Sequence, residues 1–185
     1  MRFDYKIVII YYNFYDNSEV GVKNLNLEEG KMAETKVKVK SKQFIYETGL
    51  KWVGGRDGLL TSKDKPSIEV STPPEFKGHP GFWTPENLLV ASVNICVMTT
   101  FLYYAEKKKF KFLSYESSVR GLLERVEDEF MFSVIEVKPE ILVASEDDVE
   151  KAQSLLEISE RNCFISNSLR SKVVVKPKIK VKREA

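Results

Sequence analysis

The chain has 185 residues, 43% of them hydrophobic, with 29 basic and 27 acidic side chains and a net charge of +2. That length and apolar share suit one globular domain with its own core. The near-neutral balance gives no nucleic-acid footprint and no pull toward an acidic partner. Two cysteines and one histidine are too few for a secreted disulfide scaffold or a four-ligand structural zinc site.

At the N-terminus, "YKIVIIYYNFY" is apolar over only about ten residues, too short to span a bilayer. It lacks the small-residue cleavage site of a secretory signal. "DNSEVGVKNLNLEEGK" reads as loop, and "MAETKVKVKSK" reads as an ordinary protein start. Codons for Glu29, Gly30 and Lys31 can spell a purine-rich, ribosome-binding-like stretch ahead of Met32. We therefore expect Met32 to be the true start, residues 1–31 to be an extension, and 32–185 to form a single domain. The other reading of 1–31 is a short extra strand or a tail.

Further along, "KVKVKSKQFIYET" (36–48) alternates charged and apolar residues and predicts a strand. "GGRDG" (54–58) is a turn, and "LLTS" and "SIEVST" read as short strands joined by "KDKP". "PPEFKGHPGFWTP" (73–85) is an irregular loop whose Phe76, Phe82 and Trp83 call for burial. His79 reads as a loop residue with no catalytic role. Thr84-Pro85-Glu86 starts a helix: an N-cap hydroxyl, a proline at the first helical position and an acid at the positive end of the dipole. The helix runs to about Lys108. From Leu88 to Tyr104 only Asn94 and a few hydroxyls interrupt the apolar residues, so burial on most sides, by sheet or by a partner subunit, is expected. A membrane span is the weaker reading, since the run is about 17 residues long.

"KFLSYESSVRGLLERVEDEFMFSVIEVKPEILV" (111–143) predicts an antiparallel hairpin turning near "EDE". Residues 145–162 predict an amphipathic helix, with Ser145 and Asp148 as its capping pair and Val149, Ala152, Leu155, Leu156 and Ile158 as its stripe. "KVVVKPKIKVK" reads as one closing strand with a charged edge; without interleaved aromatics it is no RNA contact. Strands, a buried helix, a hairpin, a helix and a strand together give an α+β domain built on an antiparallel sheet.

Two cysteines remain to be explained. Taken alone, Cys96, flanked by Ile95 and Val97 in mid-helix, reads as a small core hydrophobe. A reactive thiol there needs a buried cation, because mid-helix amides are already bonded. Arg56, between glycines, can be aimed inward and stays charged; Glu86 is available as its carboxylate partner. Read singly, Arg56 is a solvated turn residue and Glu86 a dipole-favouring acid.

Read together, "GGRDG", "TPENLL" with Cys96 ten residues after Glu86, and the late "CFISNSL" resemble the osmotically inducible protein C / organic hydroperoxide resistance (OsmC/Ohr) family over about Lys36 to Val181. The "KGHPGFW" loop, unlike the shorter Gly-Thr-Asn-Pro entry of the Ohr branch, points to the OsmC-like branch; Phe164 stands where the family often has proline. The resemblance implies an intertwined homodimer, with antiparallel sheets wrapped around long buried central helices. It implies a thiol-dependent peroxidase for organic hydroperoxides, with Cys96 peroxidatic, Cys163 resolving, and Arg56 and Glu86 holding the thiolate. An external thiol reductant such as a dithiol and no bound cofactor are expected with it; the charge balance and the short apolar runs separately argue against a nucleic-acid or membrane partner.

One geometric expectation follows. Ten helical residues put Glu86 roughly 15 Å along the axis from Cys96. Arg56, Glu86 and Cys96 are therefore expected to meet only at a dimer interface, not within one chain. Two other readings stand beside the peroxidase: a non-enzymatic binding protein on the same fold, and a redox sensor using the same thiols. Abundant Lys and Glu with two cysteines suggest a cytoplasmic protein.

Overall fold

The computed structural model describes residues 43–183, together with the backbone of three N-terminal strands. Those strands, β1 (Val8–Tyr12), β2 (Glu19–Leu25) and β3 (Met32–Lys38), form an antiparallel sheet in a unit spanning Met1–Glu47. The strand expected over 36–48 lies earlier: β3 ends at Lys38, and 43–48 carry no regular structure. The rest of the proposed extension, between and before β1 and β2, lies outside the described residues.

The second unit, Thr48–Ala185, opens with β4 (Gly49–Gly54), β5 (Asp57–Thr61) and β6 (Ile68–Ser71), an antiparallel sheet in that order. The β4–β5 turn needs left-handed backbone at Gly54 (φ 133°) and Gly55 (φ 51°), which explains the glycine pair. The loop after β6 is stitched back onto it: Ser71 N–H donates to the Trp83 carbonyl at 2.9 Å.

Helix α1 (Pro85–Lys107) starts as its sequence predicts. Thr84 Oγ1 accepts from Asn87 N–H at 3.2 Å, and Asn87 Oδ1 accepts from Thr84 N–H at 3.3 Å. It ends in a Schellman motif, with Phe110 N–H on the Ala105 carbonyl and Lys109 N–H on the Glu106 carbonyl. Lys109, not glycine, takes the left-handed position (φ 53°).

Hairpin β7 (Ser114–Val126) and β8 (Glu129–Val143) carries the core. On β8, Ile135, Val137, Ile141 and Val143 face inward at period two. Gly121 on β7 lets α1 come close: a Cβ there would lie 2.6 Å from Val90 and 2.7 Å from Phe132. Helix α2 (Val149–Arg161) buries Ala152, Leu155 and Leu156 against Phe101, Ala105, Ile141 and Val143. Its start differs from expectation. Residues Glu146–Asp148 form a 3₁₀ turn first, and the Ser145 hydroxyl donates to the Asp148 carboxylate rather than capping α2.

The closing segment is two strands, not one: β9 (Lys172–Val175) and β10 (Lys178–Val181). Both pair with β8, and both run parallel to it, so the sheet is mixed rather than wholly antiparallel. The break follows the prolines: β9 pairing stops at Val137, where Lys176 N–H still donates to the Val137 carbonyl at 2.8 Å, and β10 resumes at Glu140, leaving Pro139 and Pro177, which have no N–H, in the gap.

Within one chain, α1 is covered on part of its surface, and the expected cover from a partner subunit lies outside a single copy. Only one stripe of it, Val93, Val97, Phe101 and Ala105, is fully buried, four residues apart along one face. On other faces Ile95 and Tyr103 are each 56% exposed. Within the second unit, one sheet and α2 cover one side of the helix. Phe76 and Trp83, expected to bury, are each half exposed in the single chain. Among the described residues α1 alone is long and apolar enough to cross a membrane; its packed stripe gives that apolarity a role in the core.

Candidate active site

Cys96 lies on α1 beside the buried stripe and is itself half-buried; its thiol is free. Cys163 follows α2 and caps α3, a single turn over Phe164–Asn167. Cys163 is fully buried among Val93, Val97, Ile135 and Val137, and Cys96 packs against that cluster. The sheet and α1 thus bring together two thiols 67 positions apart in sequence.

The pair is asymmetric. Burial pushes the Cys163 thiol above its ordinary value, and its hydrogen bond to Cys96 pushes the same way. Ser166 opposes them, its N–H donating to Cys163 Sγ at 3.4 Å. The balance favours the protonated form of Cys163.

Cys96 opens onto a groove of about 470 Å³ lined by Thr99, Thr100, Tyr103, Tyr104, Asn162 and Phe164. Its apolar, aromatic walls suit an alkyl or aryl group better than a small polar molecule. Phe164 is 82% exposed at its rim.

Arg56 and Glu86 line a different cleft, of about 610 Å³, with Trp52, Asp57, Ser71 and Phe76. Arg56 sits at the exposed β4–β5 turn. Glu86 is in the first turn of α1, and its Oε2 is buried with no hydrogen-bond partner. No ion pair joins the two among the described residues. Cys96 does not line this cleft. One chain therefore places the two thiols in one region and Arg56 and Glu86 in another cleft, without joining them.

Asp57 and Ser71 line the second cleft without having been singled out in the sequence, and His79, read there as a plain loop residue, meets both of them. Asp57 accepts from Ser71 Oγ at 2.7 Å and faces His79 Nδ1 at 3.1 Å from each carboxylate oxygen. Ser71 and then His79 hold the Asp57 carboxyl below its ordinary range. The one signal was a lone histidine in a Gly/Pro loop with an aspartate inside the glycine turn; neither has a periodicity that links them.

The chain belongs to the OsmC-like protein family, whose model matches residues 78–178. It is 28% identical over 134 residues to an uncharacterized protein of Acinetobacter baylyi, spanning 72% of this chain and 92% of that one. It is 26% identical over 136 residues to the uncharacterized YmaD of Bacillus subtilis, at 71% and 90% coverage. Among solved structures, an OsmC-like protein of unknown function from Vibrio cholerae superposes with a TM-score of 0.67 at 19% identity, covering 73% of this chain and 99% of its own. An organic hydroperoxide resistance protein from Elizabethkingia anophelis gives 0.60 at 23% identity, covering 76% and 100%. These likenesses show the OsmC fold, an α+β architecture of helices and largely antiparallel sheet.

Proposed function

We propose that the chain is a thiol-dependent peroxidase acting on organic hydroperoxides, working as a homodimer in the cytoplasm. The observation that carries the reading is the buried Cys163, in the cluster against which the half-buried Cys96 packs beside an apolar groove. The Cys96 thiolate attacks one peroxide oxygen, the O–O bond breaks, and the alkoxide leaves and takes a proton to become an alcohol. Cys96 is left as a sulfenic acid. The Cys163 sulfur then attacks that sulfur, forming a disulfide and releasing water. An external dithiol reduces the disulfide by exchange and becomes oxidised itself, returning both thiols.

Arg56 would favour the thiolate and polarise the peroxide, and Glu86 would hold Arg56. The separation of the two clefts within one chain supports a second copy supplying one half of the site. The unpartnered Glu86 Oε2 and the bare apolar face of α1 support the same arrangement.

Steady-state turnover with cumene hydroperoxide and dithiothreitol tests the proposal. Cys96→Ser should abolish peroxide consumption. Cys163→Ser should retain the first oxidation but lose recycling through the disulfide. Equal activity of Cys96→Ser and the parent protein would refute the reading.

A further inference from the structure

We propose that His79 is a positioning residue of this site: with Asp57 and Ser71 it locks the Arg56 turn onto the loop that leads into Glu86. Its consequence for catalysis rests on the peroxidase reading; the lock itself rests on geometry alone.

Asp57 follows Arg56 directly, and β-ladder register puts it opposite Ser71. Ser71 is almost fully buried and ties three segments together. Its hydroxyl donates to Asp57 Oδ1 at 2.7 Å and lies 3.3 Å from the Arg56 carbonyl. Its N–H holds the Trp83 carbonyl, at the far end of the loop. The loop itself returns to this hub through His79, whose N–H points at Ser71 Oγ at 3.5 Å and whose Nδ1 meets both oxygens of Asp57. Arg56 is thereby tied to the segment that runs through Thr84 into Glu86.

Gly78 is part of the same device. A Cβ on Gly78 would lie 1.5 Å from the Thr72 carbonyl oxygen, so only glycine lets the chain fold onto Thr72 and bring the next residue to Asp57. Gly78 N–H also closes on the Pro73 carbonyl at 3.0 Å. The "KGH" of the loop thus has two structural roles in series: glycine allows the close approach, and histidine fastens it.

The test compares His79→Ala with His79→Asn, because an asparagine amide nitrogen can stand where Nδ1 stands and donate to Asp57. Two readouts are taken on the intact protein: amide hydrogen exchange at Ser71 and Gly78, and KM and kcat for cumene hydroperoxide with dithiothreitol. In His79→Ala, exchange at both amides should speed up by about tenfold or more, as expected for a loosened local unit. KM should rise by about tenfold with kcat changed less, the mark of a misplaced binding group rather than a lost nucleophile. His79→Asn should match the parent in both. Unchanged exchange in His79→Ala, or equal loss in both variants, would overturn the proposal. If the parent consumes no peroxide while exchange still separates the two variants, the lock stands and the peroxidase reading falls.

Discussion

At the scale of single residues, the two cysteines differ by burial. Cys163 is fully enclosed and its thiol is pushed up, whereas Cys96 reaches a groove. Iodoacetamide at pH 8 should therefore label Cys96 at least about tenfold faster than Cys163, since thiolate character and access set the rate. Peptide mapping over time checks this, and equal rates would contradict the asymmetry. The roles expected of Cys96, Cys163, Arg56 and Glu86 came with the family resemblance, which short recognisable strings carry; read singly, none of the four announced a role. Asp57, Ser71 and His79 had no such signal, because their contacts span 14 and 22 positions through a loop with no regular period.

At the scale of elements, helix α1 was legible almost to the residue, because Thr84-Pro85 and the Lys-rich end are local signals. Thr84→Ala should cost about 1 kcal/mol, the usual loss for an N-cap hydroxyl, in urea unfolding. Phe101→Ala should cost about 3–5 kcal/mol, because Phe101 is fully buried between α2 and β8. The split of the last strand was not read, although Pro139 and Pro177 both signal it; the parallel pairing depends on a return from α2 that no local pattern encodes. The strands there are joined by charge as well as ladder. Glu136 lies between Lys138, at 2.8 Å, and Lys176, and these hold its carboxyl at about 2, below the ordinary 4.5. A depressed acid stabilises the fold above its unfolded value and loses that contribution as pH falls toward its folded one. Glu136→Gln should therefore lower the melting temperature at pH 7, and the gap to the parent should close between pH 4.5 and about 2. A gap that persists at pH 2 would assign the effect to something other than charge.

At the scale of the whole molecule, composition predicted a helix covered on most sides, and one chain covers a single stripe. The remainder has a physical reading: the apolar residues left bare are many and contiguous along elements. Ile95, Leu102 and Tyr103 on α1, and Leu50, Trp52 and Val53 on β4, all remain exposed. A surface of that kind is more than a monomer ordinarily shows to water. Sedimentation at micromolar concentration should give a dimer, and Ile95→Glu should shift it toward monomer. A parent protein that sediments as a monomer would remove the reason for dividing the site between two copies.

The central claim is that Cys96 and Cys163 form one redox pair. The direct measurement is mass spectrometry of the protein, unreduced, after one equivalent of cumene hydroperoxide under anaerobic conditions. The account predicts loss of both free thiols and a cross-linked peptide joining Cys96 to Cys163, with a trappable sulfenic acid at Cys96 when Cys163 is serine. Two intact thiols after an excess of peroxide would contradict it and leave a binding protein on a peroxidase fold.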